Sequence, residues 1–255
     1  MPGHDSTSSI SPHRRQPEDC LIVALDVPTL AEARVLADQL RGVCHWVKVG
    51  LELYLVAGSS VIEELTRQGF SVFLDLKFHD IPNTVAAAVR SAASLGVSLL
   101  TVHAAGGPAM LTAAAAAAAA TPNPPRLLAV TVLTSMDSTQ LSAIGIATSP
   151  AAQVLRLAQT AVASGIHGLV CSAEELIELR QALGSRVQLV TPGIRPVGSH
   201  LGDQKRIATP SAAIQAGATA LVVGRPITRA TDPAQAAHAI LQEIGAALDL
   251  QTQIK

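Results

Sequence analysis

The stretch SVFLDLKFHDIPNTVAAAVRSAASLGVSLLTVH, residues 71–103, contains one complete unit of the fold. SVFLDLK is a short apolar run of strand character, TVAAAVRSAASLG carries a helical pattern, and VSLLTVH opens a second strand. Strands that are apolar on both faces and joined through a helix pair in parallel.

The same unit recurs in both directions along the chain. Before it stand CLIVALD with TLAEARVLADQL, and HWVKVG with a helix ending near Gln68. After it come the alanine-rich helix, RLLAVTVLT with PAAQVLRLAQTAVASG, HGLVCS with AEELIELRQALG, RVQLVTP with PSAAIQAG, and ALVVG with DPAQAAHAILQEIGAAL. That makes eight strand-helix repeats. Eight repeats in about 230 residues fit a closed TIM (β/α)8 barrel, one α/β domain, more economically than an open sheet. A doubly wound open sheet is the structural alternative.

Composition supports a packed body. Of 255 residues, 49% are hydrophobic, 15% charged and only 2% aromatic, so the core must be built from Ala, Val, Leu and Ile. The formal net charge is -1 and no basic run extends beyond Arg14 and Arg15, which leaves no electrostatic footprint for a nucleic acid or an anionic membrane. Cys20, Cys44 and Cys171 show no close pairing, which argues against a disulfide framework and a zinc site and for a cytoplasmic location. Residues 1–18 are polar and rich in Ser and Pro, without the apolar centre of a secretory signal; they are expected to form a disordered tail ahead of a barrel domain at 19–250. AAGGPAMLTAAAAAAAA, residues 104–120, is too weakly apolar to span a membrane and reads as an alanine-rich helix.

Function enters at the strand ends. Each apolar strand terminates in polar or small residues: Asp26, Lys48, Asp75 with Lys77, His103, Thr134 with Ser135, Ser172, Thr191 before Pro192, and Gly224 with Arg225. In a barrel of this kind the strand ends meet on one rim, and that rim carries the active site. Loops are polar in any case, which accounts for Ser172. Lys48 is different, because only VGLELYLV follows it and no loop composition surrounds it.

The charges in FLDLKFHDIPNT, residues 73–84, need a reason, since burying charge is costly. Two positions apart on a strand, Asp75 and Lys77 face one side, with Leu74 and Leu76 on the other. Lys48 on the neighbouring strand can reach Asp75, and Asp80 follows just past the strand, before Ile81 and Pro82. The expected pattern is an alternating array of Lys48, Asp75, Lys77 and Asp80, each charge beside an opposite one. A structural ion-pair network is the plain alternative. Buried ion pairs stabilise weakly compared with apolar packing, so four charges at a barrel rim favour function.

DLKFHDIPNT, together with LDVP around Asp26, VKVG at 47, TPGIR at 191, GDQKR at 202 and VGRPIT at 223, resembles the orotidine 5'-phosphate decarboxylase family. The resemblance runs from residue 21 to about residue 230 in the right order. D-x-K-x-x-D alone is shared by a wider group of barrel enzymes; HDIPNT after the lysine and the co-occurrence of all six pieces are specific. The resemblance implies decarboxylation of orotidine 5'-monophosphate to UMP, the last step of pyrimidine nucleotide synthesis, without metal or organic cofactor, in a homodimer.

It also implies residue roles. Lys77 would stabilise the carbanion at C6 and protonate it, Asp75 would lie beside the departing carboxylate, and Asp80, Ile81 and Thr84 would reach into the partner subunit's site. Asp26 and Lys48 resemble the contacts to ribose hydroxyls, Thr84 would help from the other subunit, and Thr134 with Ser135 the region that recognises the base. Pro192 in TPGIR joins the substrate-binding set. Gly224 and Arg225 sit where barrels often bind phosphate, after strand eight, although an ordinary surface arginine is the competing account. GIRPVGSHLGDQKR, residues 193–206, is long and polar enough for a lid, with Arg195 and Gln204 on the phosphate by resemblance; a merely solvated loop is the alternative. His103 reads equally as a core histidine or a site-lining one, and His79 receives no chemistry.

Two rival functions stand beside this reading. One is a magnesium-dependent relative with D-x-K-x-x-D acting on sugar-phosphate enediolates, such as a keto-gulonate-phosphate decarboxylase or a hexulose-phosphate synthase, against which HDIPNT and the DQKR segment argue. The other is a catalytically dead barrel that binds UMP-like nucleotides, which intact Asp75, Lys77 and Asp80 disfavour.

Overall fold

Strands form where the chain offers apolar side chains to both sides at once. In the computed structural model, which describes residues 15–197 and 208–253, these are β1 (Leu21–Ala24), β2 (Trp46–Gly50), β3 (Ser71–Phe78), β4 (Leu99–His103), β5 (Arg126–Val130), β6 (Gly168–Val170), β7 (Gln188–Thr191) and β8 (Ala220–Val223). Neighbours pair in parallel throughout, and β1 pairs with β8 as well as with β2, which closes the barrel. The fold is therefore the single-domain TIM barrel expected from the repeats and not the open sheet.

Alternation along the strands sorts the apolar residues into two cores. Ile22, Ala24, Phe73, Leu99, Leu128, Val190, Ala220 and Val222 pack inside the barrel. Their sequence neighbours, among them Leu21, Val23, Val47, Val49, Val72, Leu74 and Leu100, belong to the larger core between barrel and helices. Lys48 follows Trp46 by two residues, Asp75 follows Phe73 and Thr101 follows Leu99, so each continues an inward column. The inner columns thus turn from apolar to polar at the same end of the barrel.

The crossover helices start where the sequence satisfies or dispenses with their first N–H groups. Thr29 accepts from the Glu32 N–H ahead of the Leu30–Leu40 helix, while Pro82–Ser94, Pro150–Ala163 and Pro210–Gln215 begin with proline, which has no donor to leave unpaired. The alanine-rich segment is a short 3-10 turn, Ala104–Gly106, followed by the Gly107–Ala119 helix, whose small side chains let it lie close against Pro82–Ser94. Among the described residues no helix is long and apolar enough to cross a membrane.

Four features depart from expectation. The helix between β2 and β3 is two, Leu51–Ala57 and Ser60–Arg67, because Gly58 caps the first at φ 62°. β5 stops at Val130, so Thr134 and Ser135 lie in the loop beyond it, and an unforeseen helix, Ser138–Ala143, follows with Asp137 and Gln140 capping each other. The tail boundary at residue 18 falls inside described structure. Pro17–Cys20 form a helix against the last helix, Pro233–Gln253, and Arg15 donates to the Ala218 carbonyl at 3.0 Å.

The fourth lies in β3, which is not a regular strand at its end. Leu74 pairs with Leu100, but the next pair is Phe78 with Val102, so three residues of β3 face Thr101 alone. Lys77 has φ 53° and is the only non-glycine residue with positive φ among those described.

Candidate active site

β1, β2 and β3 deliver three of the polar strand ends to one cavity of about 510 Å³ at the C-terminal mouth of the barrel. Lys48, only 7% exposed, places Nζ 2.8 Å from Asp26 Oδ1 and 3.6 Å from Asp75 Oδ2. Lys77 Nζ lies 2.9 Å from Asp75 Oδ1. Thr101, fully buried, donates its hydroxyl to Asp75 Oδ1 at 3.0 Å and accepts from the Lys77 backbone N–H at 2.9 Å. Asp75 and Lys77 meet as expected, with Leu74 and Leu76 turned to the outer core, but through the bulge and not through simple alternation.

Gly50 leaves room beside the Lys48–Asp26 pair. A Cβ there would stand 3.0 Å from both Asp26 Oδ1 and Lys48 Nζ, tighter than ordinary contact. Burial by itself raises the Asp75 carboxyl and is the largest single influence on it. The charges of Lys48 and Lys77, with the hydrogen bonds from Lys77 and Thr101, outweigh that and hold it below the usual carboxylate range. Asp75 therefore stays ionised, and the array keeps two charges of each sign.

Asp80 does not belong to this array within the chain. The strand ends at Phe78, and Asp80 turns out into the loop, exposed, where its Oδ1 accepts from the Ile81 N–H at 2.6 Å. Asp26 takes the fourth place. Ile81, 67% exposed, and Thr84, also exposed, lie outside the cavity with Asp80.

On the β7 and β8 side the cavity is lined by Pro192, Arg195, Gly224 and Arg225, and on the β5 side by Thr134 but not Ser135. Arg195 is buried, with Nη1 donating to the Ile194 carbonyl at 2.8 Å and its own N–H to the Ala208 carbonyl at 2.9 Å. A Cβ on Gly224 would meet Ala24 Cβ at 3.6 Å, ordinary contact, so the protein's own packing does not demand glycine there. Gln204, and the greater part of the expected lid, lie outside the described residues.

Several lining residues were not singled out from sequence. Leu51, Phe73, Val132 and Cys171 contribute walls. Burial pushes the Cys171 thiol up, so it stays protonated. Thr101 was visible only as the residue two before His103 at a strand end. The capping pattern of Asp137 with Gln140 was a readable signal for the helix that follows Thr134. His103 does not line the cavity. Its ring stacks on His79 at 5.1 Å between centroids, and burial, then His79 and Lys77, lower its pKa. Among the described residues no three His, Cys, Asp or Glu side chains gather in a way that could hold a metal ion.

A closed barrel with fixed alternating charge at one end of its mouth and arginines at the other defines a (β/α)8-barrel enzyme suited to a small anionic substrate. The chain belongs to the orotidine 5'-phosphate decarboxylase / HUMPS family, whose model matches residues 19–240. It is 56% identical over 227 residues to the orotidine 5'-phosphate decarboxylase of Halorhodospira halophila, covering 89% of this chain and 96% of that protein. It is 51% identical over 225 residues to the enzyme of the same name from Idiomarina loihiensis, covering 88% and 97%. Among solved structures, orotidine 5'-phosphate decarboxylase from Lactobacillus acidophilus is similar with a TM-score of 0.80 and 43% identity, covering 89% of this chain and 99% of that one.

Proposed function

We propose that this enzyme removes carbon dioxide from orotidine 5'-monophosphate to give UMP, the last step of pyrimidine nucleotide synthesis in the cytoplasm, with Lys77 carrying the chemistry. The observation that carries the reading is the Lys77 amine held 2.9 Å from Asp75 inside the cavity, in a chain 56% identical to a protein named for that activity.

The bond from C6 to the carboxylate breaks and leaves its electron pair on C6, with no carbonyl placed to delocalise it. The Lys77 ammonium stabilises that pair electrostatically, then transfers a proton to C6, and the neutral amine recovers a proton from water. Asp75 holds the ammonium in place and repels the substrate carboxylate. Two like charges about 4 Å apart at an effective dielectric near 20 repel by roughly 4 kcal/mol, and this vanishes as neutral carbon dioxide leaves. Enzymes lower barriers by about 8 to 23 kcal/mol, so the preorganised ammonium supplies the larger share.

Asp26 and Lys48 bind the ribose hydroxyls and Thr134 with Ser135 recognises the base. Arg225, Arg195 and Gln204, beside Pro192 and Gly224, take the phosphate, whose remote binding energy fixes the ring over Lys77. Asp80, Ile81 and Thr84 complete the site of a second copy of the chain. Their exposure outside their own cavity supports this, as does the apolar surface of Leu51, Leu55 and Val56 on the neighbouring crossover, 53%, 80% and 61% exposed.

A spectrophotometric assay for loss of orotidine monophosphate tests the reading directly, with UMP as the expected product. Run in excess EDTA, the same assay separates it from a magnesium-dependent relative. Both cavity carboxylates, Asp26 and Asp75, are already engaged by lysines, so full activity is expected to remain; loss that magnesium restores would reject the metal-free mechanism.

A further inference from the structure

β3 places Asp75, Leu76 and Lys77 where β4 has only Thr101. A bulge of this kind leaves ladder groups without partners. Here the Lys77 N–H finds the Thr101 hydroxyl at 2.9 Å. That hydroxyl has one proton, and since the Lys77 N–H can only donate and the ionised Asp75 carboxylate can only accept, the proton is directed to Asp75 Oδ1 at 3.0 Å. The same carboxylate oxygen receives Lys77 Nζ at 2.9 Å. One buried side chain therefore holds the backbone of the lysine and the counter-ion of its amine together. Its burial is complete, which leaves no water to take its place, and its β-branch restricts χ1.

We propose that Thr101 is a positioning residue for the decarboxylation: its hydroxyl keeps the Lys77 backbone in the left-handed conformation and orients the Asp75 carboxylate, so that the Lys77 amine stays aimed into the cavity. This rests on the function proposed above. A left-handed lysine at φ 53° persists only where the surroundings over-determine it, and Thr101 is the one residue of β4 opposite the bulge. Without the hydroxyl the Lys77 N–H is buried and unpaired. The bulge then relaxes and the amine swings away from the reacting carbon. The ribose and phosphate contacts lie on other elements, and of them only Lys48 touches Asp75, at 3.6 Å and already held by Asp26 at 2.8 Å, so the loss falls mainly on kcat and little on KM.

Thr101→Val keeps the shape of the side chain and removes the hydroxyl, whereas Thr101→Ser keeps the hydroxyl and removes the methyl. The valine variant is expected to lose about 10- to 100-fold in kcat, the scale of a misplacement near 1 Å, with KM within about threefold. The serine variant is expected to recover most of that loss. Wild-type kcat in folded Thr101→Val, or equal impairment in both variants, overturns the proposal, the second outcome because it makes the methyl packing responsible. If the valine variant does not fold, Thr101→Cys, a weak hydrogen-bonding group of similar size, takes its place under the same criteria. A crystal structure of the valine or cysteine variant supplies a readout apart from turnover: Lys77 relaxed to negative φ supports the role, and an unchanged Lys77 refutes it. A wild-type protein inactive on orotidine monophosphate would instead reject the function itself, so the two ideas fail separately.

Discussion

A single amine carries the proposed reaction, and its surroundings determine how it behaves. Lys77→Ala removes both the cation and the proton donor, and kcat/KM is expected to fall by at least about 10³-fold, since either role alone is worth about 10²-fold or more. Circular dichroism should show the fold retained, because Lys77 is a third exposed and no apolar packing is lost. Near-normal turnover in that variant would remove Lys77 from the mechanism. Asp75 makes a prediction of its own in pH. Its folded pKa is depressed, with Lys48 and Lys77 outweighing burial, so its contribution to stability is complete above the unfolded value of about 3.9 and is lost as pH falls through the lower folded value. Urea midpoints of wild type and Asp75→Asn should therefore differ at neutral pH and converge well below about pH 4. Parallel curves across that range would mean that the ion pairs add nothing to the folded state.

Among the elements, β3 departs from its sequence pattern, and β6 carries a close approach that its pattern does not record. In β3 the pattern of Phe73, Asp75 and Lys77 points to regular alternation, and the contact it implies is made. The route to that contact, a bulge opposite Thr101, depends on the strand alongside, and a one-dimensional pattern does not contain it. In β6 a Cβ on Gly168 would stand 2.7 Å from the Leu127 carbonyl oxygen and 2.5 Å from Leu128 Cδ2. The carbonyl is backbone and does not swing aside. Gly168→Ala is therefore expected to cost about 1–3 kcal/mol and to lower Tm by several degrees, with the site chemistry intact at moderate temperature. Differential scanning calorimetry measures this, and an unshifted Tm would show that β5 and β6 separate without cost. The Ser138–Ala143 helix beyond Thr134 was legible in the Asp137 to Gln140 capping pattern; it escapes a repeat count because it is an extra element between β5 and its crossover helix.

For the molecule as a whole, the question is whether one chain makes one site. The family resemblance assigns Asp80, Ile81 and Thr84 to the partner subunit's site, and within their own chain they lie outside the cavity. If they serve the partner, Lys77→Ala and Asp80→Ala, each inactive alone, should complement. Heterodimers formed by co-expression contain one site with both residues intact, and random pairing should restore about a quarter of wild-type activity. Verified heterodimers without activity would place each site within a single chain.

The chain alone pointed to the barrel, because eight apolar runs spaced by helical segments pair in parallel and fit a closed barrel more economically than an open sheet, and it put Asp26, Lys48, Asp75 and Lys77 at strand ends on one rim, because strand ends are local properties; closure itself came from the pairing of β1 with β8. The tertiary structure decided which of those charges touch. It put Asp26 in the array in place of Asp80, turned Lys77 left-handed against Thr101, and set Gly50 close against the Lys48–Asp26 pair. These contacts depend on register between strands far apart in sequence and on the few tenths of an ångström separating contact from clash, which no periodicity records.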